Sequence, residues 1–163
     1  MPEQPEPVQL NQAVERVAKH FQIPSQERRI RLEWRTECEG QSGPITIWAT
    51  KAGVDRVLNN LVSNAVKYTP EGGRVSVALR RENGNAYVQV SDTGIGIPEE
   101  AMPHLFEEFY RVPNAKALEK EGTGLGLTIT RDLIAHYDGR ITVQSQAGQG
   151  TTFTAIWPTM RDA

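Results

Sequence analysis

The sequence contains one cysteine, Cys38, no long apolar run and no excess of either charge. A single cysteine forms no internal disulfide, so a hydrophobic core must hold the 163-residue chain together, and this length allows one domain that buries roughly two-thirds of its unfolded surface. No apolar stretch approaches the length of about 20 residues that a membrane-spanning helix needs, and the N-terminus lacks the apolar segment of a signal peptide. The 18 basic residues are balanced by 20 acidic ones, and no basic cluster marks a nucleic-acid surface. We therefore expect a cytoplasmic domain that binds no nucleic acid, and the sequence leaves open whether its parent protein is anchored in a membrane.

Two glycine-containing turns bracket a polar segment. The first turn, residues 92–98, reads DTGIGIP and follows a strand-like run, whereas the second, residues 122–127, reads GTGLGL and leads into a segment with helical periodicity. Glycines at every second position of the first turn let the backbone adopt positive φ and approach a ligand closely, and the carboxylate of Asp92 can accept a hydrogen bond from a base amine. At the second turn, bare N–H groups and the positive end of the helix favour phosphate.

Residues 112–121, between the two turns, are charged and without periodicity, and we predict that they form a lid. The second glycine turn does not follow a strand of a βαβ unit, which argues against a Rossmann site, and no GxxxxGK[ST] run occurs. Either glycine run alone is a weak signal. The two runs in this order, with a lid between them, predict a nucleotide site.

The N-terminal part of the chain is predicted to form a linker, a helix and two strands. Residues 1–7 contain three prolines and two glutamates and are predicted to be a linker. Apolar residues at helical spacing predict a helix over residues 8–21 that ends before Pro24. Alternation predicts one strand over residues 29–35 and a second over residues 45–48. The positions that carry these patterns are Leu10, Val14, Val17 and Phe21 in the helix and Ile30, Leu32 and Trp34 on one face of the first strand.

Residues 51–67 are predicted to form an amphipathic helix capped by Thr50. At about 100° per residue, Asn60, Asn64 and Lys67 fall within a wedge of roughly 60° beside the apolar stripe. Asparagines at this spacing could simply hydrogen-bond each other or solvent, but the glycine turns downstream favour a binding role. The apolar stripe consists of Val54, Val57, Leu58, Leu61, Val62 and Ala65.

Turn signals organise the rest of the chain. An Asn-Gly turn at Asn83 predicts a hairpin whose second strand delivers Asp92 to the end of the sheet. A helix start is predicted at Pro98, because proline and two following glutamates suit a first helical turn. The last helix spans residues 125–137 and is predicted to close through a left-handed Gly139. The predicted domain ends with a hairpin, strands 140–145 and 151–157, and thus covers residues 8–158, followed by a frayed tail, 159–163.

Five segments, taken in order, resemble the conserved boxes of sensor histidine kinases. Residues 56–70, RVLNNLVSNAVKYTP, resemble the N box; residues 92–98 the G1 box; residues 105–112, LFEEFYRV, the F box; and residues 122–127 the G2 box. Residues 148–153, GQGTTF, resemble the closing G3 element. The resemblance runs from about Val8 to Trp157 and identifies the chain as similar to the catalytic ATP-binding domain of this family, a member of the GHKL superfamily.

The resemblance implies a fold, a cofactor set and a role for each matching residue. The implied fold is the Bergerat fold, an α/β two-layer sandwich with a mixed sheet, helices on one face and an ATP lid. Asp92 would recognise the adenine amine with Thr151 nearby, Tyr68 would line the ribose or base edge, and Asn64 would bind Mg²⁺ with support from Asn60. Lys67 and Arg111 would meet the phosphates, so the implied catalytic residues are Asn60, Asn64, Lys67 and Arg111. The remaining implied nucleotide contacts are Gly94, Gly96, Ile97, Gly122, Thr123, Gly124, Leu125, Gly126 and Leu127.

Two departures from the family pattern concern turns, and a third concerns the phosphoacceptor. Thr50 replaces an acidic residue that often begins the N-box helix, and Tyr137 begins the sequence YDG where His-Gly-Gly is common. The phosphoacceptor histidine box is missing, because His20, His104 and His136 all stand in other contexts. We therefore expect the acceptor histidine on a helical dimerisation domain of the parent protein.

The implied function is transfer of the γ-phosphoryl group of Mg²⁺-ATP to that histidine, in two-component signal transduction with a downstream response regulator. Phe106 and Phe109 would couple the lid to the dimerisation domain, and the isolated domain is expected to be a monomer. Related ATPases place a glutamate where Asn60 stands, and an amide cannot take a proton, so hydrolysis of ATP should be slow. A serine kinase of the anti-sigma-factor type and a degenerate domain that holds nucleotide as a regulatory ligand are the alternatives.

Overall fold

A five-stranded mixed sheet and a separate two-stranded sheet carry the fold. The computed structural model describes residues 3–37, 43–107 and 126–160. In chain order its elements are β1 (Glu6–Gln9), α1 (Leu10–Glu27), β2 (Arg31–Glu37), β3 (Thr46–Ala49), α2 (Lys51–Lys67), β4 (Arg74–Glu82), β5 (Asn85–Asp92), a 3₁₀ helix (Glu99–His104), α3 (Gly126–Ala135), β6 (Arg140–Gln146) and β7 (Gly150–Pro158).

The strands of the larger sheet lie in the order β2, β4, β5, β7, β6. Only β2 and β4 run parallel, and the other three pairs are antiparallel, so the predicted mixed sheet is confirmed. Alternate side chains of the central strands are buried against the helices, whereas their neighbours form a polar opposite face. The buried set in β4 and β5 is Val75, Val77, Leu79, Ala86, Val88 and Val90, and the half-buried polar set includes Ser76, Gln89 and Ser91.

Helix α2 begins and ends as the sequence predicts. Thr50 is its N-cap, and the Thr50 hydroxyl accepts a hydrogen bond of 3.1 Å from the N–H of Gly53. The whole apolar stripe is buried, and the helix ends at Lys67, after which Tyr68 N–H still bonds the carbonyl of Asn64. Burial of this stripe holds the adjacent polar edge of α2, which consists of Asn60, Asn64 and Lys67, in one orientation. No helix within the described ranges is long and apolar enough to cross a membrane.

The hairpin of β4 and β5 confirms the Asn-Gly prediction. Asn83 and Gly84 have φ values of 51° and 78°, the left-handed pair that a type I′ turn requires. The register then pairs Asp92, the last residue of β5, with Thr151 on β7. Asp92 therefore stands at the end of a central strand, beside the residue that the family resemblance placed near it.

The structure differs from the sequence prediction at the N-terminal side. Glu6 and Pro7, predicted to belong to a linker, lie in β1, which pairs with β3. Helix α1 runs through Pro24 to Glu27 rather than ending before the proline, which costs the helix one N–H donor within its last turn. Trp34, predicted to share one face with Ile30, is 36% exposed and lies on the edge strand β2, whereas Ile30 is 4% exposed.

The C-terminal side differs in two places. The left-handed residue after α3 is Asp138, with φ of 63°, and not Gly139. Gly139 is required for a different reason, since a Cβ there would lie 2.5 Å from the carbonyl oxygen of Ile156 and 2.7 Å from the ring of Trp157. The predicted frayed tail is also wrong for its first residues: Thr159 N–H bonds the carbonyl of Gly84 at 2.9 Å, and Met160 N–H bonds that of Thr46 at 2.8 Å.

Candidate functional site

A cavity lies where the end of α2 meets the loop after β5, the start of α3 and β7. Its empty space, counted out to the open mouth and including open solvent, is about 490 Å³. Most of its walls are apolar, and four polar side chains reach it. The lining residues are Asn64, Ala65, Tyr68, Asp92, Ile95, Gly96, Ile97, Leu105, Leu127, Thr151 and Phe153.

Asp92 supplies the carboxylate of this cavity. Its Oδ1 accepts hydrogen bonds from the N–H of Gly94 at 2.8 Å and the N–H of Thr151 at 3.2 Å. Its Oδ2 accepts none from residues 3–37, 43–107 or 126–160. Burial raises the pKa of Asp92, and the two backbone hydrogen bonds oppose that rise. A carboxylate fixed through one oxygen and free at the other can accept a hydrogen bond from a ligand amine.

Ser145 holds the loop after β5 against the last hairpin, a role that the sequence prediction missed. Its Oγ accepts from the N–H of Ile97 at 2.8 Å, donates to the carbonyl of Gly150 at 3.0 Å and lies 2.8 Å from the hydroxyl of Thr151. Since a serine hydroxyl has one proton and two lone pairs, these three contacts satisfy it fully when Thr151 is the donor. The signal was available in principle, because the predicted hairpin of β6 and β7 places Ser145 opposite Thr151.

The glycines of the first turn lie close to the protein's own backbone, a contact that the sequence prediction did not include, and their approach to a ligand stays a prediction. A Cβ on Gly94 would overlap the carbonyl oxygen of Tyr68, and a Cβ on Gly96, whose φ is 70°, would overlap the carbonyl oxygen of Gln146. The residue between them is bonded on both sides: Ile95 N–H donates to Tyr68 at 3.1 Å, and its carbonyl accepts from Gly148 at 2.7 Å. The glycines therefore let this loop pass between the end of α2 and the last hairpin.

The polar edge of α2 divides between the cavity and its surroundings. Asn64 lines the cavity, and within the described chain its side chain makes no hydrogen bond. Asn60, one turn earlier, donates from Nδ2 to Oγ1 of Thr130 on α3 at 3.1 Å and does not line the cavity. The two asparagines thus do not bond each other. Lys67 is exposed at the last turn of α2.

Eight of the predicted contact residues are brought to the cavity or its walls, and others are not. Tyr68, Asp92, Gly96, Ile97, Leu127 and Thr151 line it together with Asn64, and Gly94 anchors Asp92. Gly126 is the exposed first residue of α3. The predicted residues Phe109, Arg111, Gly122, Thr123, Gly124 and Leu125, and the lid over residues 112–121, lie outside the described residues.

Phe106, predicted to contact a partner domain, is half-buried next to the start of α3. Its carbonyl accepts a hydrogen bond of 2.9 Å from the hydroxyl of Thr128, and the guanidinium of Arg131 lies 5.7 Å from the centre of its ring. The ring and the backbone at Phe106 are therefore both tied to α3, which carries Leu127 into the cavity.

The donor set of the cavity fits a magnesium ion bridged by a ligand and does not fit a metal held by protein alone. In the described ranges no three His, Cys, Asp or Glu side chains group as metal ligands. Mg²⁺ takes oxygen ligands and commonly has one or two from the protein, with waters and phosphate oxygens completing its octahedron. The unbonded amide oxygen of Asn64 suits that pattern.

The sequence and the structure both match known proteins. Residues 49–161 match the family described as histidine kinase-, DNA gyrase B- and HSP90-like ATPase. The sensor histidine kinase RppB of Synechocystis sp. is 39% identical over 117 residues, which are 72% of this chain and 26% of RppB. The chain thus spans about a quarter of the length of that relative.

Two solved structures share the fold over nearly the whole chain. The mycobacterial sensor histidine kinase MprB superposes with a TM-score of 0.80 at 28% identity, covering 94% of this chain and 98% of that one. Full-length ShkA, solved in complex with AMPPNP, superposes with a TM-score of 0.81 at 29% identity, covering 100% of this chain and 33% of ShkA. The likeness therefore extends over both sheets and all the described helices.

Proposed function

Because the chain belongs to the family of histidine kinase-, DNA gyrase B- and HSP90-like ATPases, as the nucleotide-binding domain of a sensor histidine kinase, we propose that it binds Mg²⁺-ATP and phosphorylates a histidine of its parent protein. The observation that carries the proposal is the convergence of Asp92 and Asn64 on one cavity. The carboxylate of Asp92 is suited to the amine of a base, and the amide oxygen of Asn64 is suited to a cation. The AMPPNP complex of ShkA supports a nucleotide as the ligand of this fold.

The apolar half of the cavity is the proposed adenine site. The free oxygen of Asp92 accepts a hydrogen bond from the exocyclic amine, while Thr151 stands beside it and Tyr68 lines the ribose or base edge. The side chains that would cover the faces of the base are Ile95, Ile97, Leu105 and Phe153. Burial of the base against these side chains contributes favourably to the binding free energy but does not orient the base. The hydrogen bond to Asp92 supplies the orientation.

The end of α2 is the proposed triphosphate side. Asn64 would hold Mg²⁺, Asn60 would support it from one turn earlier, and Lys67 and Arg111 would meet the phosphates. Bound magnesium would supply neutralisation of the phosphate charge, which together with positioning is most of what phosphoryl transfer requires. The turn of Gly122, Thr123, Gly124, Leu125, Gly126 and Leu127 would wrap the phosphates with its N–H groups.

Asn60 would also limit futile hydrolysis. An amide cannot accept the proton of an attacking water, and loss of a general base costs on the order of 10²–10⁴-fold in rate. The proposed nucleophile is instead a histidine on a helical dimerisation domain of the parent protein, contacted through Phe106 and Phe109. The phosphoryl group would pass on to a response regulator. We propose that the isolated domain is a monomer and that it works in the cytoplasm.

Two measurements test the proposal. Isothermal titration should show binding of AMPPNP that strengthens with Mg²⁺, and mixing the chain with [γ-³²P]ATP and the histidine-bearing domain of its parent should label that domain. The label should be acid-labile and stable in base, as expected for phosphohistidine. An acid-stable label would indicate a serine kinase, and nucleotide binding without any label would indicate a regulatory nucleotide domain.

A further inference from the structure

Thr130 of α3 joins the polar edge of α2 to the start of α3, and the proposed nucleotide contacts do not include it. Its side chain is fully buried, at 0% exposure. Its Oγ1 lies 2.7 Å from the carbonyl oxygen of Gly126, one turn earlier on the same helix, and 3.1 Å from Nδ2 of Asn60. A buried hydroxyl therefore stands between the first residue of α3 and the asparagine that replaces a catalytic glutamate.

The first of these contacts fixes where the hydroxyl proton lies. Two oxygen atoms at 2.7 Å need a proton between them, and the carbonyl of Gly126 has none to give. The proton of Thr130 is consequently used in the bond to Gly126, as is common for threonine within a helix. Only lone pairs of Oγ1 remain for Asn60.

The second contact then fixes which end of the Asn60 amide faces α3. An atom that lies 3.1 Å from an oxygen with only lone pairs to offer must be a donor, so it is the NH₂ group. The carbonyl oxygen of Asn60 is turned away from α3, and within the described ranges it has no hydrogen-bond partner. Thr130 thus decides the orientation of an amide whose two ends have nearly the same shape.

We propose that Thr130 is a positioning residue, which presents the oxygen of Asn60, and not its NH₂ group, to the magnesium-bound triphosphate. This inference rests on the proposed function. An amide oxygen attracts a cation and its bound waters, whereas an NH₂ group in the same place repels them. Without an acceptor at position 130, both orientations of the amide become accessible, and the cation loses a fixed supporting dipole.

The same arrangement selects an amide over a carboxylate at position 60. A carboxylate has no proton to donate, so its oxygen and Oγ1 of Thr130 would be two acceptors that repel each other. The repulsion would be relieved only if the Thr130 hydroxyl gave up its bond to Gly126. Thr130 therefore favours the residue that cannot act as a general base.

The test compares Thr130→Val, which has nearly the same shape but no hydroxyl, with Thr130→Ser, which keeps the hydroxyl. The affinity of the 163-residue chain for AMPPNP is measured by calorimetry in EDTA and in saturating Mg²⁺, and the ratio of the two gives the gain due to magnesium. We expect Thr130→Val to reduce this gain about tenfold, the low end of the effect of supporting residues at metal sites, and to leave affinity in EDTA unchanged. Thr130→Ser should retain the gain. Thr154→Val is the matched control, since Thr154 is a buried threonine on β7 that faces away from the cavity-lining Phe153.

A second readout requires no nucleotide. In ¹⁵N-edited NMR spectra, the side-chain NH₂ protons of Asn60 should shift on Thr130→Val and keep their position on Thr130→Ser. Thr130→Ala is a second variant without the hydroxyl, should the valine variant fail to fold. The proposal is overturned if the NH₂ resonances do not move, if the magnesium gain is unchanged in both hydroxyl-free variants, or if affinity in EDTA falls equally. A wild-type chain that binds no AMPPNP refutes the proposed function, whereas the NMR result still reports the orientation of Asn60.

Discussion

Replacing Asp92 with asparagine tests nucleotide recognition separately from folding. An asparagine can keep the two backbone hydrogen bonds, because its carbonyl oxygen can accept from Gly94 and Thr151 as Oδ1 does. Its NH₂ group then stands where the free oxygen stood. A donor facing the adenine amine cannot form the proposed hydrogen bond.

The expected loss of affinity follows from the strength of a hydrogen bond to a charged group. Such a bond contributes about 1.5–3 kcal/mol, so Asp92→Asn should weaken AMPPNP binding by about 10- to 150-fold. Isothermal titration in Mg²⁺ measures this directly. Asp55→Asn is a suitable control, since it also removes one negative charge, but from an exposed ion pair that Asp55 of α2 forms with Arg16.

The effect on stability has the opposite sign. Burial raises the folded-state pKa of Asp92 above its usual 3.8, so the folded protein disfavours the ionised form. The contribution of Asp92 to the free energy of unfolding is therefore greatest below pH 3.8 and falls as pH rises through the folded-state pKa. At pH 7 the neutral asparagine avoids this penalty, and Asp92→Asn should melt at the same temperature as wild type or slightly higher. Unchanged affinity, or lost affinity together with a lower melting temperature, would refute the assignment of Asp92 to the adenine amine.

Three further substitutions test the rest of the cavity. Asn64→Ala should abolish most of the magnesium gain and of phosphotransfer while leaving adenosine binding within about twofold; equal loss of both would contradict a metal role. Ser145→Ala leaves the N–H of Ile97 without its acceptor and should lower the free energy of unfolding by about 1–3 kcal/mol in urea titrations, and an unchanged midpoint would show that water replaces the hydroxyl. Gly96→Ala should lower the free energy of unfolding by clearly more than Gly84→Ala does, because both glycines have positive φ but only Gly96 faces a backbone carbonyl. Equal losses would show that positive φ alone, and not the close carbonyl, accounts for the cost.

The sequence predicted elements whose signals are local. Helix α2 has its cap, apolar stripe and end within residues 50–67, and the hairpin of β4 and β5 has its turn in the dipeptide Asn83-Gly84, so periodicity and turn chemistry were sufficient. The pairing of β1 with β3 is not local, since the two strands are joined through α1 and a loop. Nothing in the composition of residues 1–7 predicts pairing with β3. A proline-rich segment therefore looked like a linker, although Pro7 fits at the edge of a two-stranded sheet.

The same distinction holds for the candidate site: residues marked by a local sequence motif were predicted, and residues that act through contacts distant in sequence were not. Asp92, Asn64 and Tyr68 were predicted as site residues because their own sequence motifs mark them, and the structure brings all three to one cavity. Ser145 and Thr130 were missed because each acts on a residue distant in sequence, through a hydroxyl on a strand or helix that looks ordinary by itself. The glycines at positions 94 and 96 were assigned to the approach of a ligand, which stays a prediction, and their contacts with the protein's own backbone were missed.

The backbone contacts of those glycines link the two halves of the cavity. The loop that carries Asp92 passes so close to the end of α2 that Ile95 N–H bonds the carbonyl of Tyr68, only four residues beyond Asn64. The group proposed for the base and the group proposed for the cation are therefore held at a set separation by one short backbone connection. A side chain at Gly94 would force the two apart, because its Cβ would occupy the position of that carbonyl. Backbone packing would thus set the spacing between the proposed base and triphosphate sites, and it explains why a Cβ at Gly94 or Gly96 has no room even where no ligand atom would touch it.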